Sequence, residues 1–552
     1  MKLPFFHISI LLSGAVGAAL LLSSCTDLDV DIKSQYTEFP TTERAAEAIS
    51  ADVYAAYRSA MGNNHWMVQT LSSDEAVSLA IGTDYYDGGR FRELHVHNWT
   101  PDNALLPTIW NGAMSGINLA NNVLAIFNDD ESENAAPMRA MRAYFYFILM
   151  DNFGAAPLIV SKVDQIPERT SRAEICRFIE SELLAVRERL PVAVSAATYG
   201  KATRHMADAL LAKLYLNWGV YTANDVATYN PAMPNEKLNE VVAFCDEIIQ
   251  SGQFNLSSHR FLEKFRPDNG PQIKDFIFAM PFDREKQQGM TYARFWIHRS
   301  SQNQFAPLPQ SVGGTFRVLP AFLDKFNLPG DERNASYMGG LQYYWSDYAP
   351  DLTRPFLIRT SKKGIDQDYT GADADVVFDW HMETSREITL RPDGGSTLNA
   401  GNDQKGRSMG YRSLKFYMDV NVTAANQRSQ SNDVPIFRYA DVLLMKAEAI
   451  LRGAVPTQGE TPQSLINQIR TYVKAPNLAQ QPTLAELLDE RGREFADESW
   501  RRNDLIRFGL FEQDWGFKSL YSAGYNEYFR RIFPIPRPVM EVNTNWTQNN
   551  GY

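Results

Sequence analysis

Thr203-Arg-His-Met-Ala-Asp-Ala-Leu-Leu-Ala-Lys-Leu-Tyr-Leu-Asn-Trp218 reads as a helix with an apolar stripe and a small-residue face. Thr203 is placed to cap it, because its hydroxyl oxygen can accept an N–H that the first helical turn leaves unpaired. Met206, Leu210, Leu214 and Trp218 recur at helical spacing and form one stripe. Ala207, Ala209 and Ala212 leave room for a neighbouring helix to approach closely. A helix of this kind is built for stacking on others.

Further segments repeat the pattern on both sides. Thr41 or Thr42 can cap an alanine-rich helix through Tyr57. Met138, Met141, Phe145, Ile148, Leu149 and Asn152 recur at helical spacing, and Tyr144–Met150 is apolar all round, which predicts a helix buried on every side. It should stop at Asn152-Phe153-Gly154, with Pro157 just beyond. Later helices are predicted over Ala440–Arg452, ended by Gly453, and over Pro462–Lys474, with Pro462 suited to the first helical position. Thr483 and Glu486 form a capping box for one more. Short loops between alanine-rich helices predict stacked helical hairpins, although no strict 34-residue repeat is visible. Residues 253–433 differ. They hold Gly313-Gly314, Pro329-Gly330, Gly339-Gly340 and Gly394-Gly395, yet also Phe276, Phe278, Trp296, Phe322 and Phe326. Loops and short strands packed on the helical body fit that mixture. The expected fold class is mainly α, a tetratricopeptide-like superhelix with a large loop-rich insertion and a few short strands.

The ends and the composition narrow the function. Lys2 precedes an apolar run from Ile8 to Leu22 and then Leu22-Ser23-Ser24-Cys25. That run is short for a membrane span and reads as a secretory signal. Small residues before Cys25 resemble a bacterial lipobox, which implies cleavage before Cys25 and acylation of its new amino terminus. Several acyl chains anchor a protein stably where one is marginal. Residues 1–24 are then a lipoprotein signal peptide and 25–40 a lipidated tether. With 54 Lys and Arg against 65 Asp and Glu, the net charge is −11, which disfavours a nucleic-acid binder. Only Cys176 and Cys245 remain after Cys25, both in helix-like segments, so a disulfide scaffold and multi-cysteine metal clusters are excluded.

Several separated blocks together resemble the SusD/RagB family of surface nutrient-binding lipoproteins. They are Arg139–Gly154, Gly200–Asn217, Arg438–Ala449, Glu490–Phe495 with Arg501, Asp504 and Leu505, then Pro534-Ile-Pro536 and the ending Gln548–Tyr552. Ser499 stands where that family commonly has Gly, and Asn550 where it usually has Pro. The resemblance implies a compact unit over 41–552, made of an N-terminal helical region (41–252), a loop-rich ligand face (253–433) and a C-terminal helical region (434–552). It implies a protein held by Cys25 on the outer face of a bacterial outer membrane. It also implies a TonB-dependent transporter of the SusC type as partner, with a glycan as cargo or, in one branch, a peptide.

Glu490, Arg491, Glu494, Arg501 and Asp504 mix acids and bases. Arg491 falls on the stripe of Leu484, Leu487, Leu488 and Phe495, however, which points to a buried ion-pair network between helices. Sugar recognition calls for aromatic faces with polar groups at their edges. Two stretches offer that mixture: Asp84, Tyr85, Tyr86, Arg90 and Phe91 around a Gly-hinged loop, and Tyr343, Tyr344 and Trp345 within an aromatic run from Tyr337 to Tyr348. Tyr86 and Trp345 lead these, with Trp66 and Trp296 behind them, while Trp99 and Trp110 look like packing residues. His95 and His97 alternate as they would on one face of a strand, without the helical His pair or Cys partner of a zinc site. Asp366, Asp368, Asp373 and Asp375 miss EF-hand spacing. No cofactor or metal site is expected, nor is an enzyme, since no nucleophile–base motif appears. A peptide-binding protein, a surface glycoside hydrolase and a helical scaffold remain as alternatives.

Overall fold

The computed structural model describes residues 43–127, 135–161, 163, 165–298, 301–305, 313–361, 377–391, 397–401, 403–423, 425 and 428–552. The expected signal peptide, Cys25 and the tether lie outside the described residues, as do Thr41, Thr42 and the aspartates from Asp366 to Asp375. Residues 50–552 form one compact unit.

Helices dominate, as the apolar periodicity predicts. Those that position the site and core are α1 (Glu43–Met61), α2 (Asn63–Leu71), α3 (Arg90–His95), α4 (Leu106–Ile126), α5 (Ala135–Phe153), α6 (Arg172–Val186) and α7 (Arg204–Leu216). They continue with α8 (Leu238–Gln250), α9 (Tyr292–Trp296), α10 (Tyr439–Leu451), α11 (Pro462–Tyr472), α12 (Leu484–Phe495) and α13 (Arg501–Arg507). In the stack, α4 packs on α5 and α5 on α6, while α7 packs on α8, α8 on α10 and α10 on α11. The architecture is the tetratricopeptide-like helical superhelix expected from sequence. Close approach needs small residues. A Cβ on Gly112 of α4 would stand 2.8 Å from the Ala60 backbone of α1, and one on Gly116 would collide with the Phe145 ring of α5.

α5 is buried almost throughout and ends at Gly154, whose φ of 76° is the left-handed value that favours glycine after a helix. Thr203 caps α7 by accepting the Met206 N–H at 3.2 Å. The predicted stripe is one residue too long. Asn217 leaves helical geometry (φ −96°, ψ 11°) and donates its amide to the Lys213 carbonyl, so Trp218 starts a separate short helix, Trp218–Thr222. Thr483 and Glu486 form the expected capping box of α12. His95 and His97 are not on a strand. His95 is the last residue of α3 and His97 follows it in a turn, both buried.

The acid–base residues of α12 and α13 form a buried lattice between helices. Arg491 pairs with Asp441 of α10 and Asp504 of α13, each at 2.8 Å, and Asp441 also meets Lys213 of α7 at 2.7 Å. Glu490 accepts from Arg333, Arg470 and Arg493; Glu494 pairs with Arg333 and Arg438; Arg507 pairs with Glu448 and Asp504. Buried charges persist only when partnered in this way. Three neighbouring guanidinium groups outweigh the burial cost at Glu490 and hold its carboxyl down to about 2. Arg501 reaches back to Asp74 at 2.6 Å, just past the end of α2.

Within 253–433 the chain is folded on this body through short antiparallel ladders. Phe276–Met280 pairs with Val434–Arg438, which joins the two ends of the insertion. Phe278 stacks on Tyr57 of α1 at 5.1 Å and meets Tyr144 of α5 edge-on. Phe316–Val318 pairs with Ala76–Ser78, and Tyr343–Ser346 forms a hairpin with Ala349–Pro355. The last residues are also structural. Asn549 donates to the Phe153 and Phe533 carbonyls, and the Tyr552 hydroxyl accepts the Trp99 indole N–H at 2.7 Å. Cys176 and Cys245 are free and buried, as small apolar side chains would be. No described helix is long and apolar enough to cross a membrane.

Candidate ligand-binding groove

The first turns of α2 and α3, the approach to α4 and the segment from Gln288 to Phe295 enclose an open polar groove of about 440 Å³. Each contributes for a local reason. Asn63 opens α2 with its side chain turned to the insertion, where it donates to the Gly289 carbonyl and accepts the Thr291 N–H at 3.2 Å. That pair holds α9 beside α2. Arg294 and Phe295, from the same turn of α9, are half-buried and line the groove. Behind them, Trp66 of α2 stacks on Tyr292 at 4.1 Å, and Asp497 accepts the indole N–H groups of Trp66 and Trp296 at 3.3 and 3.2 Å. Burial pushes the Asp497 carboxyl up to about 6.

The segment before α3 is an unusual turn. Tyr85 (φ 61°), Asp87 (φ 52°), Gly88 (φ 69°) and Gly89 (φ 83°) all take left-handed backbone values. Two of these are not glycine, and such conformations persist only where surrounding contacts impose them. The φ of 83° at Gly89 is what favours glycine there, and the Tyr86 hydroxyl crosses 2.9 Å from where a Cβ would stand. The turn delivers Arg90 into the groove, whereas Tyr86, 40% exposed, lines a separate small pocket with Tyr85 and Arg92. Tyr85 faces the His298 ring at 5.6 Å. Asp84 sits in the bridge to Ile81 and accepts the Tyr85 N–H.

Phe91 has a different position from the one expected. It is 4% exposed and packs edge-on against Phe295 and Phe316, so its ring presents no face to a ligand. Trp66 and Trp296 are likewise buried packing residues, as are Trp99 and Trp110. The aromatic run separates by role. Tyr343, Tyr344 and Trp345 are half-buried on the Tyr343–Ser346 hairpin, each already beside another ring: His381, Phe356 and Phe305 respectively. Trp345 also lies against Tyr417 in the cluster that includes Ala293 and Ile297. The two predicted patches therefore adjoin the same 293–298 segment, but no ring pair joins them among the described residues. Missed by sequence reading are Asn63, Asn64, Gln288, Arg294 and Phe295. Only Arg294-Phe295, a cation amid aromatics in a glycine-rich region, carries any local signal.

His95 and His97 are packing groups. His95 hydrogen-bonds the Ala76 carbonyl at 3.2 Å through Nδ1, and its Nε2 accepts the Phe517 N–H at 3.1 Å. Burial lowers its pKa to about 3, so the ring stays neutral. His97 hydrogen-bonds the Ser72 carbonyl and stacks on Phe511. Among the described residues no group of His, Cys, Asp and Glu is arranged to hold a metal ion.

The family model described as "SusD family" matches residues 274–552, and one described as "Starch-binding associating with outer membrane" matches 28–216. The starch-binding protein SusD of Bacteroides thetaiotaomicron is 24% identical over 438 residues, which cover 76% of this chain and 72% of that protein. SusD-like protein P2 of Formosa agariphila is 24% identical over 567 residues, covering 97% and 98%. The solved structure of a laminarin-binding SusD-like protein superposes with a TM-score of 0.65 at 21% identity, covering 93% of this chain and all of that one (100%).

Proposed function

The chain belongs to the SusD family, and from that membership we propose that it is a non-catalytic surface protein that captures oligosaccharides. In this reading the acylated Cys25 holds it on the outer face of an outer membrane, and a SusC-like TonB-dependent transporter receives the ligand. The observation that carries the proposal is the 440 Å³ groove, which falls in the size range of small-molecule sites. It offers Arg90, Arg294, Gln288, Asn64 and Thr291 to ligand hydroxyls, with Phe295 as an apolar wall; Tyr86, outside that lining, adds an exposed ring. No Asp or Glu lines it among the described residues. A glycoside hydrolase requires two carboxyl groups roughly 5–9.5 Å apart across its cleft. Asp84, Tyr85, Tyr343, Tyr344 and Trp345 belong to this proposal as rim residues, the last three as a second platform on the hairpin. Affinity at one platform need not be high, since a tethered partner raises effective concentration.

The test is an array of glycans and peptides probed with the full-length protein, with product analysis of each hit and co-purification from membranes. Glycan hits without cleavage, and a co-purifying TonB-dependent transporter, support the proposal. Binding of peptides alone, or ligand cleavage, refutes it.

A further inference from the structure

This inference rests on the reading of the groove as a glycan site. Most arginines buried in this protein are saturated. Arg333 meets Asp331, Glu490 and Glu494, and Arg438 meets Asp275, Glu494 and Glu498. Arg412 lacks a carboxylate and donates to the Met409 and Arg407 carbonyls instead, while Arg502 donates to two carbonyls through one nitrogen and leaves its other two without an acceptor. Arg294 in the groove goes further. Among the described residues the Arg294 side chain meets no carboxylate and no hydrogen-bond acceptor, although it is half-buried and its Nε is shut away from solvent. The adjacent Phe295 ring lies 5.3 Å away.

Arg90, on the same groove, has a buried Nε with no acceptor. Among the described residues its ion-pair partner is Asp87 at 3.8 Å, both 39% exposed, a pair that solvent screens. Arg428 precedes the lining residue Ser429, and its own side chain has no acceptor among the described residues. Burial, together with the nearby Arg428 charge, holds the Arg294 guanidinium below its ordinary value. Asp87 and Tyr85 act the other way, more weakly. A partly buried, unpaired guanidinium costs free energy, and an anion in the groove would recover it. Concentrated positive charge is also out of character for a chain of net charge −11.

A planar guanidinium donates two parallel N–H bonds, which match the oxygens of a carboxylate or a sulfate. We infer that the groove selects acidic oligosaccharides, with a sugar carboxylate or sulfate ester held between Arg90 and Arg294 and attracted by Arg428. Phe295 then bounds the sugar ring that carries the charge. Selectivity comes from charge at this site, while the exposed Tyr86 face serves any pyranose.

The test uses the full-length protein on an array of uronate-bearing and sulfated oligosaccharides, each printed beside its carboxyl-reduced or desulfated neutral counterpart. Titration calorimetry then compares an oligogalacturonate with its carboxyl-reduced form at low and high salt. The acidic member of a pair should bind at least about tenfold more tightly, in line with a charge-assisted contact. Raising ionic strength should narrow the gap. Arg294→Gln should abolish the preference, and Arg428→Gln should reduce it even if the first variant fails to fold. Preference confined to uronate pairs or to sulfate pairs identifies which acid is held, and either supports the inference. Equal binding of neutral and acidic partners overturns it while leaving the glycan reading intact. Absence of any glycan hit overturns both.

Discussion

Replacing Asp497 by Asn should stabilise the protein more as pH rises. The side chain is buried and accepts two indole N–H bonds, from Trp66 and Trp296, with its pKa raised to about 6. In the unfolded chain an aspartate titrates near 3.9. The folded value is the higher one, so the contribution to stability is complete below about pH 4 and is lost as pH climbs through 6. A rise from about 3.9 to about 6 corresponds to about 3 kcal/mol, of which about 2 kcal/mol falls between pH 4.5 and 7.5. Asn retains an oxygen for both indoles and tolerates the left-handed φ of 64° at this position. It forgoes the attraction of Lys415. Urea unfolding of the wild type and Asp497→Asn, followed by tryptophan fluorescence across pH 4.5–7.5, measures the difference directly. The variant's advantage should grow by about 2 kcal/mol and level off near neutrality. An advantage that stays flat, or shrinks as pH rises, would refute the assignment of a strained acid behind α9.

Arg491→Met should cost about 3–5 kcal/mol in chemical denaturation, because Asp441 and Asp504 lose the guanidinium they share; a cost below 1 kcal/mol would count against the buried lattice. Glu448 and Glu490 have pKa values lowered to about 2, so their stabilisation is present above roughly pH 4.3 and lost as pH falls toward 2. Circular dichroism during acid titration should show unfolding within that window, and Glu490→Gln should be less stable than the wild type already at pH 7. Tyr86→Ala should weaken glycan binding by about 1–3 kcal/mol with stability unchanged, by analogy with ring stacking in other sites. Trp345→Ala should weaken it likewise if the hairpin is a second platform, and unchanged calorimetric affinity removes the residue. Phe91→Ala should instead lower stability by about 3–5 kcal/mol, read from urea unfolding.

Helices were legible because their apolar spacing is local. α5 and α7 announce themselves through periodicity and a cap, and Arg491 reveals its burial by falling on the stripe of Leu487, Leu488 and Phe495. Ser499, noted in sequence where relatives of this type have Gly, has a φ of 66°, the value that explains such a preference. The strand expected at His95–His97 failed because alternation over three residues is too short to separate a strand from a helix end. The groove was legible only in part. Tyr86 and Phe91 share one motif, yet the left-handed turn at Asp87–Gly89 sends the first outward and lets the second sink between Phe295 and Phe316. Thr291 and Asn63 meet across 228 residues of chain, a distance no periodicity spans. The missing signal was a tertiary one.

The bond from Trp99 to Tyr552 has a consequence for how the molecule comes into being. The indole and its acceptor are 453 residues apart, so this contact closes only after nearly all of the intervening chain has been synthesised, and the helices around Trp99 complete their docking late.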